Sequence, residues 1–455
     1  MHQIDQRLPG SWRLLGALLV TTLMQSARAD DWPQWLGPKR DGVWREAGIL
    51  AKFPAGGPKV LWRAEIGGGF SGPAVADGRV VVMDRQGERL AKGKEAPPKG
   101  GLKGKERIVC LEAGSGKPRW THEYDCDYRV LYTSGPRTTA VIAAGKVYGL
   151  GAMGDVTCLD AATGKVHWQT KLTELCKTKP PLWGYAAHPL VDGDRLICLA
   201  GGEGSAVLAL DKNTGKELWR ALTVKEIGYA PPMIYEAGGK RQLIVWLSDA
   251  LYSIDPETGK QYWLAGYPED AKPQRPAVNI AQPLRIGDIL FVSSFYHGQL
   301  AMNLAKDKPE AEVAYRSKEK TPMKAPGLHA LMATPVARDG HIYGVGPAGE
   351  IRCLEAATGK TVWSSNKPFG EKDAVFGTIF FIPQGDRWFL FTDQGDLIIA
   401  NMSPKGYEEI DRANVIKPSQ SARGREVVWS HPAFAHKCAF IRNDREIVCI
   451  SLAKE

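Results

Sequence analysis

The chain has 455 residues, 44% of them hydrophobic, with eight cysteines and a formal net charge of +9. The positive charge would suit an anionic partner, but an export signal at the N-terminus argues against nucleic acid. The sequence has no C-x-x-C-H haem site, C-x-x-C zinc pair, G-x-x-x-x-G-K-[ST] phosphate loop or G-x-S-x-G elbow. These common cofactor and catalytic classes therefore have no support.

Residues 1–29 have the pattern of a secretory signal peptide. Arg7 and Arg13 form the charged region, Leu14 to Met24 the apolar region, and Ala27-Arg28-Ala29 an A-x-A cleavage site. The apolar run is too short to span a bilayer, and no cysteine stands at the cleavage point to carry a lipid anchor. We expect a secreted or periplasmic protein, cleaved near Ala29 and without a transmembrane segment.

Residues 30–59 are rich in Trp and Pro, and we expect them to pack across one face of the domain formed by residues 60–455. Arg89 to Arg107 is a Lys/Gly/Pro-rich insertion, and Lys306 to Lys324 is a second mixed-charge patch. Each is either a solvated loop or a surface for an anionic partner such as polysaccharide or lipid headgroups.

A ten-residue phrase, Leu/Ile-Asp/Glu-x-x-Thr/Ser-Gly-Lys-x-x-Trp, occurs five times and is the main signal for the fold. Its closing tryptophans lie 44 to 51 residues apart, except for a last gap of 100 residues that holds an eroded copy near Tyr315. A period of about 40–50 residues is typical of propellers and solenoids. Each unit has four short β runs separated by Gly/Asp turns, which favours a four-stranded propeller blade. The tryptophans predicted to pack between blades are Trp62, Trp120, Trp168, Trp219, Trp263 and Trp363.

A second marker gives the blade count. Seven units open with a residue followed by Pro, and Phe376-Gly377-Thr378 falls where an eighth opening is expected. The run Val60-Leu61-Trp62 lacks the first half of the repeat, and Glu446 to Leu452 lacks the second half, so the two complete each other. The sequence therefore predicts an all-β, eight-bladed β-propeller of four-stranded antiparallel blades, closed by the N-terminal strand joining the last blade. Seven blades would require residues 364–428 not to form one.

The cysteines do not look like an extracellular disulfide set. Six of them fall in second or third strands of the predicted blades, namely Cys110, Cys158, Cys198, Cys353, Cys438 and Cys449. Only Cys126 and Cys176 fall in loops, six and eight residues after the closing Trp of adjacent blades. A disulfide between these two is a possibility that the sequence leaves open.

The repeat resembles the PQQ-type propeller repeat, which quinoprotein alcohol dehydrogenases share with BamB, a protein of outer-membrane β-barrel assembly. The opening Trp32-Pro33-Gln34-Trp35-Leu36-Gly37-Pro38, together with Gly135-Pro136-Arg137-Thr138-Thr139, resembles secreted PQQ-binding-like propellers abundant in planctomycetes. The resemblance covers residues 32–452. It implies the fold strongly and an activity only weakly.

The resemblance also implies what a quinone site would need: a Trp floor, a ring of adjacent cysteines, and calcium held by Glu, Asn and Asp, with an Asp as base. The chain has no Cys-Cys dipeptide, and its blade openings offer no carboxylate. We therefore predict no cofactor and no metal site. PQQ with Ca²⁺ stays possible without a ligand motif to support it.

The blade openings should converge at one mouth of the central channel and form a candidate ligand site. The candidate residues are Arg137, Trp183, Tyr185, His188, Tyr229, Asn279, Gln282, His329, Thr334, Trp429 and His431. Aromatic, Arg and His side chains would suit a sugar, an anionic ligand or a peptide segment. The alternative is that they only fill a narrow channel.

The favoured interpretation is a secreted, monomeric propeller that acts as a non-catalytic binding or scaffold module for a protein or carbohydrate partner, with cell-envelope assembly as one version of that role. The alternative is a periplasmic PQQ-dependent alcohol or sugar oxidoreductase. A carbohydrate-cleaving enzyme would need a carboxylate pair near the channel. Carboxylates at the axis would favour both enzymatic interpretations, and a channel without them would disfavour both.

Overall fold

The protein is described by a computed structural model covering residues 30–90, 96–267, 276–318, 321–422 and 425–454, so the predicted signal peptide lies outside the described residues. Eight four-stranded antiparallel sheets and one two-stranded sheet are found there. This confirms the eight-bladed, all-β propeller. The helical elements in these ranges are α1 (Leu172–Leu175) and two 3-10 turns (Pro322–Lys324 and Lys367–Phe369). None of the helices in the described part of the chain has the length and apolar character to cross a membrane.

Each blade runs from an inner strand at the channel to an outer strand at the rim. After β1 (Val60–Glu65), blade 1 holds β2 (Ala74–Ala76), β3 (Arg79–Gly87), β4 (Gly104–Glu112) and β5 (Pro118–Asp125). Blade 2 holds β6 (Val141–Ala143), β7 (Lys146–Leu150), β8 (Asp155–Asp160) and β9 (Val166–Lys171). Blade 3 holds β10 (Leu190–Asp192), β11 (Arg195–Leu199), β12 (Val207–Asp211) and β13 (Glu217–Ala221). Blade 4 holds β14 (Met233–Ala237), β15 (Lys240–Trp246), β16 (Ala250–Ile254) and β17 (Gln261–Gly266).

The second half of the ring repeats the plan. Blade 5 holds β18 (Leu284–Ile286), β19 (Ile289–Ser294), β20 (Gly298–Leu304) and β21 (Ala311–Arg316). Blade 6 holds β22 (Val336–Arg338), β23 (His341–Val345), β24 (Ile351–Glu355) and β25 (Thr361–Ser365). Blade 7 holds β26 (Ile379–Gln384), β27 (Arg387–Thr392), β28 (Asp396–Ser403) and β29 (Gly406–Asn414), followed by the hairpin β30 (Gln420–Ala422) and β31 (Arg425–Val427). Blade 8 holds β32 (Ala433–Ala435), β33 (Cys438–Arg442), β34 (Glu446–Ser451) and, as its outer strand, β1.

The ring closes through blade 8, as predicted. β1 pairs antiparallel with β34, with Trp62 opposite Cys449, so strands from both ends of the chain share one sheet. The fully buried Arg442 joins this blade to blade 1, since its guanidinium donates to the carbonyls of Gly67 at 2.6 Å and Met83 at 2.7 Å. The closure leaves no sheet edge inside the ring.

The repeated phrase forms the hairpin between the third and outer strands of a blade. In blade 2 the Asp160 carboxylate accepts hydrogen bonds from the backbone N–H of Thr163 at 2.8 Å and from its hydroxyl at 2.7 Å. These bonds lower the pKa of Asp160. Gly164 then takes a φ of +73°, which a residue without Cβ adopts at least cost. The turn is thus specified by local contacts of its own residues.

Five of the six closing tryptophans, all but Trp263, dock on the hairpin of the next blade through a hydrogen bond from Nε1 to a backbone carbonyl. Trp120 donates from Nε1 to the carbonyl of Ala161 at 3.0 Å, and Trp168 donates to Lys212 at 3.0 Å. A Cβ on Gly164 would lie 2.7 Å from the Trp120 ring. The glycine of the phrase therefore permits the positive φ of its own turn and also leaves room for the indole of the preceding blade.

Blade 5 carries the eroded copy of the phrase, and the contact of Trp263 differs there from that of the other closing tryptophans. Trp263 donates to the side chain of Gln242 within its own blade, at 2.9 Å, instead of to a hairpin carbonyl of blade 5. In blade 5 itself Tyr315 takes the position of the tryptophan. Its hydroxyl donates to the carbonyl of Ala356 at 2.9 Å.

Residues 30–59 run across the channel-lining strands. Trp32 pairs with Val75 of blade 1 and Trp44 with Gln384 of blade 7, while Leu50 donates its N–H to the carbonyl of Leu452 at 2.9 Å. Trp32 and Trp44 are almost fully buried. The segment is therefore part of the folded domain, and it brings its aromatic side chains to the axis.

The structure does not contain the disulfide that the sequence left open. Cys126 and Cys176 are both free and buried. Cys126 packs with Leu102 and Tyr128 beside blade 1, whereas Cys176 belongs to the separate apolar cluster around Leu172 in blades 2 and 3. Similar spacing after two closing tryptophans does not bring the thiols together, because the two side chains pack in different apolar clusters.

Candidate functional site

A funnel of about 490 Å³ opens on the propeller axis. All eight connections between the outer strand of one blade and the inner strand of the next contribute to it, and Phe295 and Tyr296 come from the β19–β20 turn. The lining residues are Trp35, Phe70, Leu131, Tyr132, Arg137, Leu182, Trp183, Ala186, His188, Tyr229, Pro276, Val278, Ile280, Phe295, Tyr296, Leu331, Met332, Val375, Phe376, Phe380, Arg425, Trp429 and His431. The volume lies within the range of small-ligand or side-chain pockets.

Trp35 and two histidines form the floor of the funnel. The indole of Trp35 stacks on His188, with ring centroids 3.9 Å apart, and meets the edge of His431 at 4.9 Å. Phe380 contacts the other side of His431 at 4.9 Å. Because His188 begins blade 3 and His431 begins blade 8, Trp35 joins two blades that are not neighbours in the ring.

Backbone contacts determine which nitrogen of each neutral imidazole carries the proton. The N–H of Thr139 donates to Nδ1 of His188 at 2.8 Å, so the neutral ring carries its proton on Nε2. In His431 Nδ1 lies 2.5 Å from the carbonyl of Pro432 and must donate to it, which leaves a lone pair on Nε2. Burial lowers the pKa of His431 to about 4, and burial with nearby Arg40 lowers the pKa of His188 well below its usual value.

Below the floor, Arg40 ties the N-terminal segment to the inner strands. Its guanidinium donates to the carbonyls of Pro189 at 3.0 Å and His188 at 3.4 Å, while its own carbonyl accepts from Gln282 at 2.7 Å. Burial lowers the pKa of Arg40 to about 10. The floor is therefore held from beneath, and ligands would enter from the opposite side.

Two arginines lie in the wall, and both are already engaged. Arg137 donates to backbone carbonyls, including that of Trp183 at 2.8 Å and that of Leu131 at 2.6 Å, and burial lowers its pKa. Arg425 pairs with the buried carboxylate of Asp393 at 3.1 Å. Asp393 lies behind Arg425, and the lining residues themselves include no carboxylate. The wall is consequently apolar with little net charge facing the cavity.

Six of the eleven residues predicted for a ligand site line the funnel: Arg137, Trp183, His188, Tyr229, Trp429 and His431. The other five do not, and each uses a polar atom in a contact within the protein. Tyr185 donates to the carbonyl of Ala200 at 2.9 Å, Asn279 donates to Leu247 at 2.7 Å, Gln282 binds Arg40, His329 contacts the carbonyl of Phe295 at 2.8 Å, and the Thr334 hydroxyl accepts from the N–H of Gln282 at 3.2 Å.

The sequence missed several funnel residues. Phe70, Tyr132 and Phe376 precede inner strands, and counting back from each blade opening could have found them. Trp35 comes from the N-terminal segment and Arg425 from the extra hairpin after blade 7, and neither belongs to the repeat. Their positions depend on how distant segments pack, so the repeat gave no signal for them.

The funnel does not offer the ligands of a calcium-bound quinone. Among the described residues its lining has neither a cysteine nor a carboxylate, and Ca²⁺ prefers several oxygen ligands with carboxylates among them. Throughout the described ranges there is no group of three or more His, Cys, Asp or Glu side chains placed to hold a metal ion. The residues present therefore do not fit that cofactor.

A second cavity, of about 990 Å³, lies between blades 1 and 2 and is basic. Lys103 and Lys105 from the predicted insertion line it, together with Arg129, Lys171 and Lys179. Several of these cations have partners, such as Lys105 with Glu123 at 2.6 Å and Lys171 with Asp155 at 3.5 Å. An anionic partner at this surface stays a prediction.

Comparison with known proteins gives the relatives of the chain. The family model described as outer membrane protein assembly factor BamB matches residues 104–365. The BamB of Burkholderia pseudomallei is 25% identical over 245 residues, which is 53% of this chain and 58% of that protein. The quinoprotein ethanol dehydrogenase of Pseudomonas putida is 27% identical over 165 residues, or 33% of this chain and 26% of the enzyme. The chain thus matches well under two thirds of each of these relatives' length.

Solved structures agree on the fold. The BamB structure from Moraxella catarrhalis superposes with a TM-score of 0.53 at 16% identity, covering 81% of this chain and 94% of that one. A quinohemoprotein alcohol dehydrogenase from Comamonas testosteroni gives 0.60 at 13% identity, covering 93% and 81%. Since the family model matches more than half of the sequence, the chain belongs to the BamB family of PQQ-like repeat propellers.

Proposed function

We propose that this member of the BamB family is a non-catalytic binding module, and that its funnel receives an apolar segment of a polypeptide partner. The observation that carries the proposal is the character of the funnel: the described residues form a ring rich in aromatic and aliphatic side chains, with no carboxylate among them. Glycosidic chemistry needs a pair of carboxylates at the reacting centre. A wall of this kind contributes binding energy through apolar burial instead.

The mouth of the funnel supports contact with a partner. Leu182 and Val375 line it and are 45% and 46% exposed. Exposed apolar side chains that border a concave apolar surface are typical of interaction sites. A polypeptide suits the funnel better than a carbohydrate, because Arg137 and Arg425 are engaged and few polar groups remain for sugar hydroxyls.

The relatives support the same choice. The family model and the Burkholderia protein carry the name of an outer membrane protein assembly factor, and assembly factors act on other proteins. We further propose that the chain is exported, with cleavage near Ala29, and that it works outside the cytoplasm as a monomer. The intact mass of the exported protein and its elution volume on size exclusion would test both points.

The direct test is selection of peptides from a random library on the mature protein, followed by affinity measurements. Ala186 lines the funnel and is half-buried, so Ala186→Trp should fill the cavity and weaken the selected peptides at least about tenfold. Ala162→Trp is the matched control, because Ala162 is exposed on the blade 2 hairpin. Equal affinity for all three proteins would place binding elsewhere, and failure to select peptides would remove the proposal.

A PQQ-dependent oxidoreductase is the second candidate, favoured by the match to quinoprotein ethanol dehydrogenase. It is tested by titrating the mature protein with PQQ and Ca²⁺ and following absorbance and dye reduction with alcohols and sugars. We expect neither stoichiometric binding nor dye reduction, because the lining residues that the structure describes include no carboxylate to hold calcium. Binding with substrate-dependent dye reduction would establish the enzyme.

A further inference from the structure

Two nitrogen atoms at the funnel floor have no protein partner among the described residues. His188 and His431 each use Nδ1 in a backbone contact, and the hydrogen bonds found for the described residues leave Nε2 of both rings unused. The two side chains are 7% and 5% exposed, yet both line the funnel. Neither Nε2 is among the fully buried side-chain atoms that lack a hydrogen-bond partner, so both atoms are accessible from the cavity.

The two atoms differ in hydrogen-bonding character. Nε2 of His188 carries the proton and donates, whereas Nε2 of His431 has a lone pair and accepts. Burial lowers the pKa of both rings and keeps them neutral near pH 7; Arg40 and His431 also lower the pKa of His188, whereas the hydrogen bond with the Pro432 carbonyl raises that of His431. Both rings contact the same indole, that of Trp35. The floor thus offers one donor and one acceptor around a single ring.

The donor on His188 and the acceptor on His431 determine which chemical group can bind at the floor. A carboxylate only accepts and an ammonium only donates, but a hydroxyl does both. The walls above the floor are aromatic, with Phe70, Tyr132, Trp183, Phe295 and Phe376 among them, and such walls suit a flat ring. Resting on the proposed function, we infer that the funnel binds a tyrosine side chain of the polypeptide partner, whose hydroxyl accepts from His188 and donates to His431.

The test compares three small probes by calorimetry on the mature wild-type protein: N-acetyltyrosinamide, its O-methyl ether and N-acetylphenylalaninamide. Each hydrogen bond is worth about 1 kcal/mol net, so the two bonds together should make the tyrosine probe bind about 30-fold more tightly than the phenylalanine probe. The ether, which cannot donate, should lose most of this advantage. Equal affinities for the tyrosine and phenylalanine probes would overturn the inference.

A variant of a floor residue tests whether the preference for tyrosine over phenylalanine arises at the floor. His431→Phe keeps an aromatic ring but removes the acceptor, so the one remaining hydrogen bond should leave a tyrosine preference of about fivefold. His167→Phe, on the exposed outer strand of blade 2, is the control and should leave it unchanged. An unchanged preference in a folded His431→Phe protein would overturn the assignment; where that variant does not fold, the probe ratio on the wild type decides.

The inference and the proposed function can fail separately. If library peptides bind the funnel but changing their tyrosines to phenylalanine leaves the affinity unchanged, the inference is wrong and the binding module stands. If neither peptides nor the tyrosine probe bind, both are wrong. If p-cresol binds as tightly as the best tyrosine peptide, the ligand is a small phenol and the polypeptide assignment is overturned.

Discussion

The outer hairpins and the funnel belong to the same blades but are specified in different ways. In the blade 2 hairpin, Asp160 and Thr163 bond to each other within one short turn, and Trp120 of the preceding blade packs against Gly164 of the same turn. In the funnel, Trp35 meets His188 and His431, residues more than 150 and almost 400 positions away. What repeats in the sequence builds the scaffold, and what differs between the repeats builds the site. Changes in the two regions should therefore have separable effects.

The largest effect is expected for Trp168→Ala. Trp168 is 9% exposed, and its ring packs on Gly215 of the next blade. Removing a buried indole typically costs about 3–5 kcal/mol of unfolding free energy. Urea unfolding would measure the loss. The folded fraction should bind selected peptides with wild-type affinity, and a specific loss of affinity would contradict the separation of the two regions.

A pair of glycine substitutions isolates the contact between glycine and tryptophan. Gly215 and Gly145 have φ near +71° and +73°, but an added Cβ would lie 2.6 Å from Trp168 at Gly215 and would meet nothing within 4 Å at Gly145. Gly145→Ala should cost about 1–2 kcal/mol from backbone strain alone. Gly215→Ala should cost about 1–3 kcal/mol more from overpacking. Equal losses in urea unfolding would show that the indole contact is unimportant.

The funnel floor should make stability depend on pH. The pKa of His431 is lowered to about 4 in the folded protein, so below the unfolded value of about 6.5 the unfolded chain binds the proton more readily. Stability is therefore full above pH 6.5 and is lost as the pH falls toward 4.

Replacing the His431 ring should remove its part of that dependence, while the part due to His188 stays. Between pH 7 and pH 5, His431→Phe should lose about 2 kcal/mol less unfolding free energy than the wild type. His167→Phe on the outer strand is the control and should follow the wild type. A parallel loss in His431→Phe and the wild type would mean that His431 does not titrate as a buried neutral ring.

The smallest effect is expected at the rim. Arg220 and Glu217 pair on the outer strand of blade 3, where both side chains are about one third exposed. Such pairs contribute about 0.2–1 kcal/mol, so Arg220→Ala should change the midpoint of urea unfolding only slightly. A loss above about 2 kcal/mol would show that the rim contributes more than exposed ion pairs ordinarily do.

The same contrast explains what the sequence could predict. The blades, their count and the closure by Trp62 followed from the repeat, because its turns depend on neighbouring residues. Six funnel residues were identified because they lie beside blade openings. Trp35 and Arg425 were not, since their positions result from packing of segments outside the repeat.

The residues that the sequence wrongly assigned to the funnel share one reason for the error. Tyr185 and Asn279 lie near blade openings, but their side chains turn into the blades and bind Ala200 and Leu247. The repeat gives the position of a residue along a blade, but not the direction of its side chain in an irregular connection. For the same reason it could not show that Cys126 and Cys176 face different clusters.

The affinity of one selected peptide for Trp168→Ala and Ala186→Trp, measured side by side with the wild type, tests the central claim most directly. The account predicts wild-type affinity for the folded Trp168→Ala protein and a loss of at least about tenfold for Ala186→Trp, with its stability almost unchanged. Wild-type affinity in Ala186→Trp would contradict it, because the peptide would then bind outside the funnel.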